Sequence, residues 1–597
     1  MTHRNFCVSA AIGRCPYVFR DISAGLAVFA LSFVQVVSVF AQGPSESRIA
    51  AAEAKPVEGI PVTDPLVIAK CGGCHKKDDK GNLTRISWER TTPEGWEEVI
   101  KRMVRLNGLK LNPEEARAVI KSLSASHGLA PEEARAIAYM SEHRIIEEPI
   151  PNDNLKTTCA ACHPFGRVAS FRRAPEEWKL LVNLHVALYP IVELTAFGRS
   201  RGRGGPSGEA AAGPPPPEPA DQAIEFLSKN YPLETTDWAS WRTRTRAPKL
   251  AGKWLVSAHI AGRGDFSGEM TIDAGSTPDE FTTQVKLLPV AGGPAIERTG
   301  KVLVFNGYAW RGRSTGSPSG SAPGDIPGEM RESMMIAPDQ SWAEGRWFWG
   351  SYDEFGADVK LRRASGAATI LLIDRPSLKA GSQAQRVRIL GDGLPAQVTP
   401  ADLDFGAGVT VSRIVSHTPQ EIVAEVDVAE NAISGKRDIA VGSAVLPNAI
   451  AVYDKIDYIR VLPATPIARL GGAAQRPKGY QQFEVMAYNR GADNKPYTAD
   501  DVALGPIDVS WSVEEFPEVF GDDDKKYVGT LSETGLFTPA LDGPNPRRNQ
   551  MRDNYGTVWV VATAKSEHDG NGKPLTAKGY LIVSPPLYII WDKEITP

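Results

Sequence analysis

The sequence predicts a multidomain α plus β protein: a mainly α N-terminal domain, an antiparallel β-barrel-like domain, and two immunoglobulin-like β-sandwiches. Three observations predict it. The length of 597 residues suits about four domains. Up to about Arg246, apolar residues recur at helical spacing, and Pro-Glu-Glu runs such as Asn112-Pro113-Glu114-Glu115 and Ala130-Pro131-Glu132-Glu133 open the segments. From about Pro248 the period becomes two. Phe281, Thr283, Val285 and Leu287 share one face while Thr282, Gln284 and Lys286 share the other.

Within the helical region one motif occurs twice, as Cys71-Gly72-Gly73-Cys74-His75 and Cys159-Ala160-Ala161-Cys162-His163. A C-x-x-C-H run is the attachment site of a covalent c-type haem. Its two Cys lie one helical turn apart and offer both sulfurs to one porphyrin edge, and the His becomes the proximal iron ligand. A structural zinc site would instead require the Cys pairs to be closed by further Cys or spaced His.

A matched helix follows each motif. Thr92-Pro93-Glu94-Gly95-Trp96 leads to Val99, Ile100 and Met103; Ala174-Pro175-Glu176-Glu177-Trp178 leads to Leu181, Val182 and His185. Each has Pro and Glu in its first turn, where the helix dipole favours negative charge. Met103 and His185 occupy the same position on the apolar face, and both residue types serve as distal ligands of low-spin haem iron. The segment reads as an internal duplication that binds two haem c groups, one with Met/His and one with bis-His ligation. Met140, His127 and His143 are local rivals of Met103, whereas no other His or Met stands between His185 and residue 259.

Of six Cys, four are in the motifs, and Cys7 and Cys15 lie near the N-terminus. There Arg4, Arg14 and Arg20 precede an apolar run from Ile22 to Phe40, and small residues flank a cleavage point after Ala41. Residues 1–41 therefore read as a secretory signal peptide. Its cleavage leaves no stable membrane span, although the apolar run is long enough to consider a retained anchor. Covalent haem attachment follows export, so the expected location is the periplasm. The net charge of −4 gives no basic footprint for nucleic acid.

The expected domains are 42–246, holding the haem motifs and a disordered Gly/Pro-rich loop at 200–219, then 247–365 as the barrel, 366–455 and 456–597. Trp238 and Trp241 are expected to close the first domain, and Trp342, Trp347 and Trp349 to fill the barrel. A single strand is expected over Val302 to Trp310. Asp522-Asp523-Asp524 and the run from Glu567 to Gly572 lack calcium-loop spacing and read as turns. No nucleophile elbow, zinc motif or P-loop is present, so no catalytic residue is assigned.

The chain resembles the alpha subunit of quinohemoprotein amine dehydrogenase over essentially its whole mature length. The resemblance is carried by Thr92-Pro93-Glu94-Gly95-Trp96, Trp178-Lys179 with Leu181-Val182-Asn183 and His185, and Lys229-Asn230-Tyr231-Pro232-Leu233. It continues through Gly264-Asp265-Phe266-Ser267-Gly268, Ile467 to Gly472, Asp500 to Gly505 and Thr534 to Ala540. It implies a di-haem cytochrome domain followed by three β domains. The implied partners are a β-propeller subunit and a small gamma subunit bearing a cysteine tryptophylquinone that oxidises primary amines. Electrons would leave for a soluble periplasmic cytochrome c or cupredoxin. It implies Cys71, Cys74, His75 and Met103 at one haem, and Cys159, Cys162, His163 and His185 at the other. The stretch around 200–219 is longer than the family pattern.

Two other readings use the same motifs. One is a free-standing periplasmic di-haem carrier that docks through its β domains. The other is a di-haem peroxidase, which needs an open iron position and is opposed by the paired distal ligands.

Overall fold

The computed structural model describes residues 57–198, 217–464, 466–472, 476–517 and 521–587. The expected signal peptide, with Cys7 and Cys15, and residues 200–216 of the Gly/Pro-rich stretch lie outside them.

The helices begin where the sequence supplies caps. Asp64 accepts from the backbone N–H groups of Leu66 (2.8 Å) and Val67 (3.1 Å), opening helix Pro65–Cys71. Thr92 caps helix Pro93–Asn107 through Gly95 N–H, and Asn112 with Glu115 forms a capping box on Pro113–Ser126. Gly95 is required for a different reason: a Cβ there would lie 2.0 Å from Thr91 Oγ1. Trp96, Trp178, Trp238 and Trp241 are all buried in one apolar core. Truncating Trp96 or Trp178 to Ala would cost about 3–5 kcal/mol by cavity formation.

The duplication is visible in the backbone. The short strands before the two matched helices, Glu89–Thr91 and Phe171–Arg173, pair antiparallel with Arg90 opposite Arg172. Arg90 and Arg172, which hold equivalent positions in the two repeats, thus face each other at a local two-fold. Both guanidiniums converge on Glu133. Arg90 donates to it twice (2.9 and 3.0 Å) and Arg172 once (3.1 Å), while Thr235 Oγ1 and Ala130 N–H each add a bond at 2.8 Å. Burial alone would raise the Glu133 carboxyl, but Arg90 and Arg172 hold it down at about 2.

Eight antiparallel strands, from Gly252–Ile260 to Phe355–Arg363, close into a barrel when the last pairs with the first. Phe281, Thr283, Val285 and Leu287 are buried and the residues between them exposed, as the period of two requires. Two expectations are corrected. Val302 to Trp310 is not one strand: Asn306 and Gly307 turn with φ of 48° and 73°, joining strands Ile296–Phe305 and Ala309–Gly316. An Asn-Gly pair in that conformation is a favoured hairpin turn. Among the three Trp, Trp347 and Trp349 enter the barrel core. Trp342 falls on the opposite face of the strand from buried Ala343, with the Arg135 guanidinium 5.8 Å from its ring centre.

The helical region and the barrel share a core, since Leu303, Phe305, Tyr308 and Ala309 join the cluster around Leu129 and Trp241. Asn306 fastens this seam, donating to Leu129 O at 2.7 Å and accepting from Trp241 Nε1 at 3.2 Å.

Beyond the barrel, two four-stranded sheets enclose the core of residues 369–453. A final unit has one four-stranded and two three-stranded sheets. In both units the second strand pairs parallel with the last, Ser377–Lys379 with Ala451–Tyr453 and Ile467–Arg469 with Ile582–Ser584. The acidic runs are accounted for within the fold: Asp523 and Asp524 bind Arg548 and Arg552, and Asp569 accepts from the N–H groups of Asn571 and Lys573.

His259 ties the barrel to this final unit. It bonds Asp265 at 2.7 Å and Glu484 at 3.1 Å. The hydrogen bonds to these two carboxylates raise its pKa from 6.5 to about 10. Stabilisation from a raised pKa is complete below the unfolded value and fades as pH climbs through the folded one. The thermal midpoint of wild type should therefore exceed that of His259→Gln at pH 6, and the gap should close above about pH 10. An equal gap at both pH values would show that the ion pairs contribute nothing.

Candidate functional site

Helix Pro65–Cys71 delivers Cys71 against the apolar core, and the chain then turns so that Cys74 and His75 N–H groups donate to Cys71 O at 3.1 and 2.9 Å. Cys71 is half-buried and Cys74 exposed. Helix Asp153–Thr158 ends just before Cys159, whose N–H donates to Leu155 O at 2.9 Å, and the second motif repeats the exposure of the first, with Cys159 half-buried and Cys162 exposed. In both copies the thiols thus stand at the end of a helix, accessible from solvent.

The second set is gathered around one cavity of about 1810 Å³. Cys159, Cys162, His163 and His185 line it, with Val168 and Leu181 among its apolar walls. Such a volume exceeds the roughly 300–1,000 Å³ of an ordinary small-ligand pocket, and the cavity runs on past the barrel rim to the final unit. The exposed apolar side chains Leu106, Leu188, Tyr189 and Ile191 all lie on its wall. An aggregate of exposed apolar groups of this kind marks a binding surface.

His163 and His185 face each other across that space with ring centres 6.4 Å apart and planes at 43°. A metal–imidazole bond is roughly 2 Å, and the ring centre lies about 1.1 Å behind the nitrogen, so one metal between two imidazoles places their centres about 6 Å apart. The spacing fits a single iron. The tautomers fit as well. His163 Nδ1 bonds Pro164 O at 3.0 Å and His185 Nδ1 bonds Leu181 O at 2.8 Å. A carbonyl only accepts, so each Nδ1 carries the proton and each Nε2 keeps its lone pair for a metal. Burial pushes His163 below the usual imidazole range, which favours that neutral form.

His75 has the same second bond, from Nδ1 to Thr84 O at 2.7 Å. The first set is not drawn into the cavity. Met103 is half-buried on helix Pro93–Asn107, beside the core residues Trp96 and Ile100, and its Sδ accepts from Asn107 Nδ2 at 3.6 Å. That helix and Pro65–Cys71 both rest on Pro113–Ser126. The rivals of Met103 stand elsewhere. His127 is buried, bound through Nε2 to Ile60 O and through Nδ1 to Ser126, and burial takes its pKa down to about 4. Met140 and His143 line the cavity of the second set.

Sequence reasoning missed the carbonyls of Thr84 and Pro164, which have no side-chain signature, and Phe197, whose ring meets His185 edge to face at 6.2 Å.

The fold and its site define a haem-binding protein in which a helical domain precedes several antiparallel β domains. Residues 62–208 match the family described as quinohemoprotein amine dehydrogenase A, alpha subunit, haem binding. Residues 247–364, 367–454 and 459–594 match domains II, III and IV of the same alpha subunit. The chain belongs to the quinohemoprotein amine dehydrogenase alpha-subunit family. It is therefore of a kind with one subunit of a multi-subunit oxidoreductase.

No curated protein matches the chain. Among solved structures, a redesigned β barrel is similar at 14% identity, over 19% of this chain and 92% of that one, with a TM-score of 0.16. SGBP-B of the Bacteroides ovatus mixed-linkage glucan utilization locus, in complex with a mixed-linkage heptasaccharide, is 10% identical over 40% of this chain and 55% of its own, with a TM-score of 0.18. Human protocadherin-24 EC1-2 is 12% identical over 37% and 97%, with a TM-score of 0.14. Among the described residues, no helix is long and apolar enough to cross a membrane.

Proposed function

We propose that this chain is the electron-relay subunit of a periplasmic quinohemoprotein amine dehydrogenase. In this reading Cys71 and Cys74 tether one haem c, with His75 and Met103 on its iron. Cys159 and Cys162 tether the second, with His163 and His185. The observation that carries the reading is the pair of imidazoles 6.4 Å apart, both with Nδ1 bound to a carbonyl. Bound haem supplies one-electron chemistry, here between a cysteine tryptophylquinone on a small gamma subunit and a soluble cytochrome c or cupredoxin. The residues of this chain hold, orient and bury the two irons, and the amine is oxidised in another subunit.

The bis-His site is the entry point from the quinone and the Met/His site the exit, because Met ligation raises a haem's potential. Residues 1–41 act as the signal peptide, 42–246 form the di-haem domain and 247–365 the barrel. Segments 366–455 and 456–597 are immunoglobulin-like scaffolding against a β-propeller subunit. Two four-stranded sheets enclosing one core within 369–453 support that reading for the first of them.

The test is a pull-down of the tagged mature protein from its native periplasm, with a visible spectrum before and after a primary amine. Two smaller subunits should co-purify, and the haem should become reduced. A lone two-haem protein whose spectrum ignores amines would favour the free-standing carrier instead.

A further inference from the structure

We infer that Phe197 is a positioning residue for His185, fixing the rotation of its imidazole plane about the bond that Nε2 makes to iron. This rests on reading His163 and His185 as one ligand pair. A ligand nitrogen fixed to a metal leaves its ring one freedom, rotation about that bond. The bond from Nδ1 to Leu181 O at 2.8 Å restrains one edge of the His185 ring. Phe197 meets the ring from another side, with centres 6.2 Å apart and planes at 71°, the edge-to-face geometry that aromatic quadrupoles favour.

Phe197 is itself held. Its N–H donates to Val192 O at 2.7 Å, closing the short helix Val192–Thr195, whose Val192 is buried, as is the adjoining Ala196. A rotation of the His185 plane would therefore disturb its edge-to-face contact with a ring whose backbone is held. The resulting angle of 43° is neither parallel nor perpendicular. Each axial imidazole donates from its π system into the iron d orbital that its plane selects, so the angle between the planes sets the splitting of those orbitals. In ferric low-spin haem the largest electron paramagnetic resonance g value reads that splitting directly.

The experiment uses the full mature protein with both haems, oxidised, as Phe197→Leu and Phe197→Tyr beside wild type. Phe197→Leu should shift the largest g value of the bis-His signal while its low-spin visible spectrum and its haem-to-protein ratio match wild type. Phe197→Tyr, which keeps the ring edge, should return the wild-type value. If Phe197→Leu does not accumulate, Phe197→Met supplies similar volume without a ring plane. An unchanged g value in the ringless variant, or equal shifts in the Leu and Tyr variants, overturns the positioning role. His185→Met distinguishes loss of the positioning role from loss of the ligand assignment. Persistence of the bis-His signal in that variant would sink the ligand assignment itself, whatever Phe197 does.

Discussion

His185→Met is expected to raise the reduction potential of the lower-potential centre by on the order of 100 mV, within the about 0.8 V that axial ligands span, and to leave the other centre in place. His185 lies on the cavity wall facing His163, on a helix whose equivalent position in the first repeat is already methionine. A thioether is a weaker donor to ferric iron than imidazole, so it favours the reduced state. Only the centre bound to the second motif should respond, because Met103 and His75 lie outside that cavity. A spectroelectrochemical titration of both proteins resolves two waves. If the lower wave does not move, His185 is not on the iron, and the proposed order of the two centres fails with it.

Glu133→Ala should be among the most destabilising single changes in the helical domain, comparable to truncation of Trp96 or Trp178. Breaking a buried ion pair from one side costs about 3–5 kcal/mol because the remaining charge has lost its partner. Here two guanidiniums, Arg90 and Arg172, would be left, and Arg90 is fully buried. Urea denaturation of the full mature chain, followed by fluorescence of the buried Trp cluster, would register the loss. The pH dependence has a definite sign. The folded carboxyl sits at about 2 against an ordinary 4.5, so its contribution is present above pH 4.5 and is lost as pH falls through about 2. The stabilities of wild type and Glu133→Gln should converge as that range is crossed. A constant difference down to pH 2 would mean that the ionised form is not what stabilises the fold.

Much of this was legible in the sequence because it was written in local spacing. The two C-x-x-C-H motifs, the Pro-Glu helix starts and the change of period near Pro248 are all set within a few residues of one another. Elements that depend on distant partners were not legible. Nothing in Glu89 to Thr91 announces that it will pair with Phe171 to Arg173, and nothing around Glu133 announces that it will meet both strands. The hairpin at Asn306-Gly307 was within reach, since that dipeptide is a strong turn signal, but the apolar run on both sides concealed it. Trp342 was misplaced because a cluster of three Trp suggests one core, whereas strand alternation assigns its face residue by residue. At the site, local spacing singled out His163 and His185, whose rings stand 6.4 Å apart on one cavity. The carbonyls that set their tautomers are identical in every residue and become visible only in the fold.

The antiparallel ribbon that joins the two repeats has a consequence for electron tunnelling between the proposed irons. Tunnelling rates decay exponentially with separation, so a carrier with two centres benefits when their distance hardly fluctuates. Both matched helices spring from the same ribbon, Pro93–Asn107 following one strand and Pro175–Leu188 the other. The ribbon is in turn clamped by two buried carboxylates, Glu133 on Arg90 and Arg172 and Glu89 on Arg173, which neither repeat can leave without stranding a buried charge. Thermal motion of one half would then be shared by the other, and the gap between the proposed irons would stay nearly constant while the molecule as a whole moves.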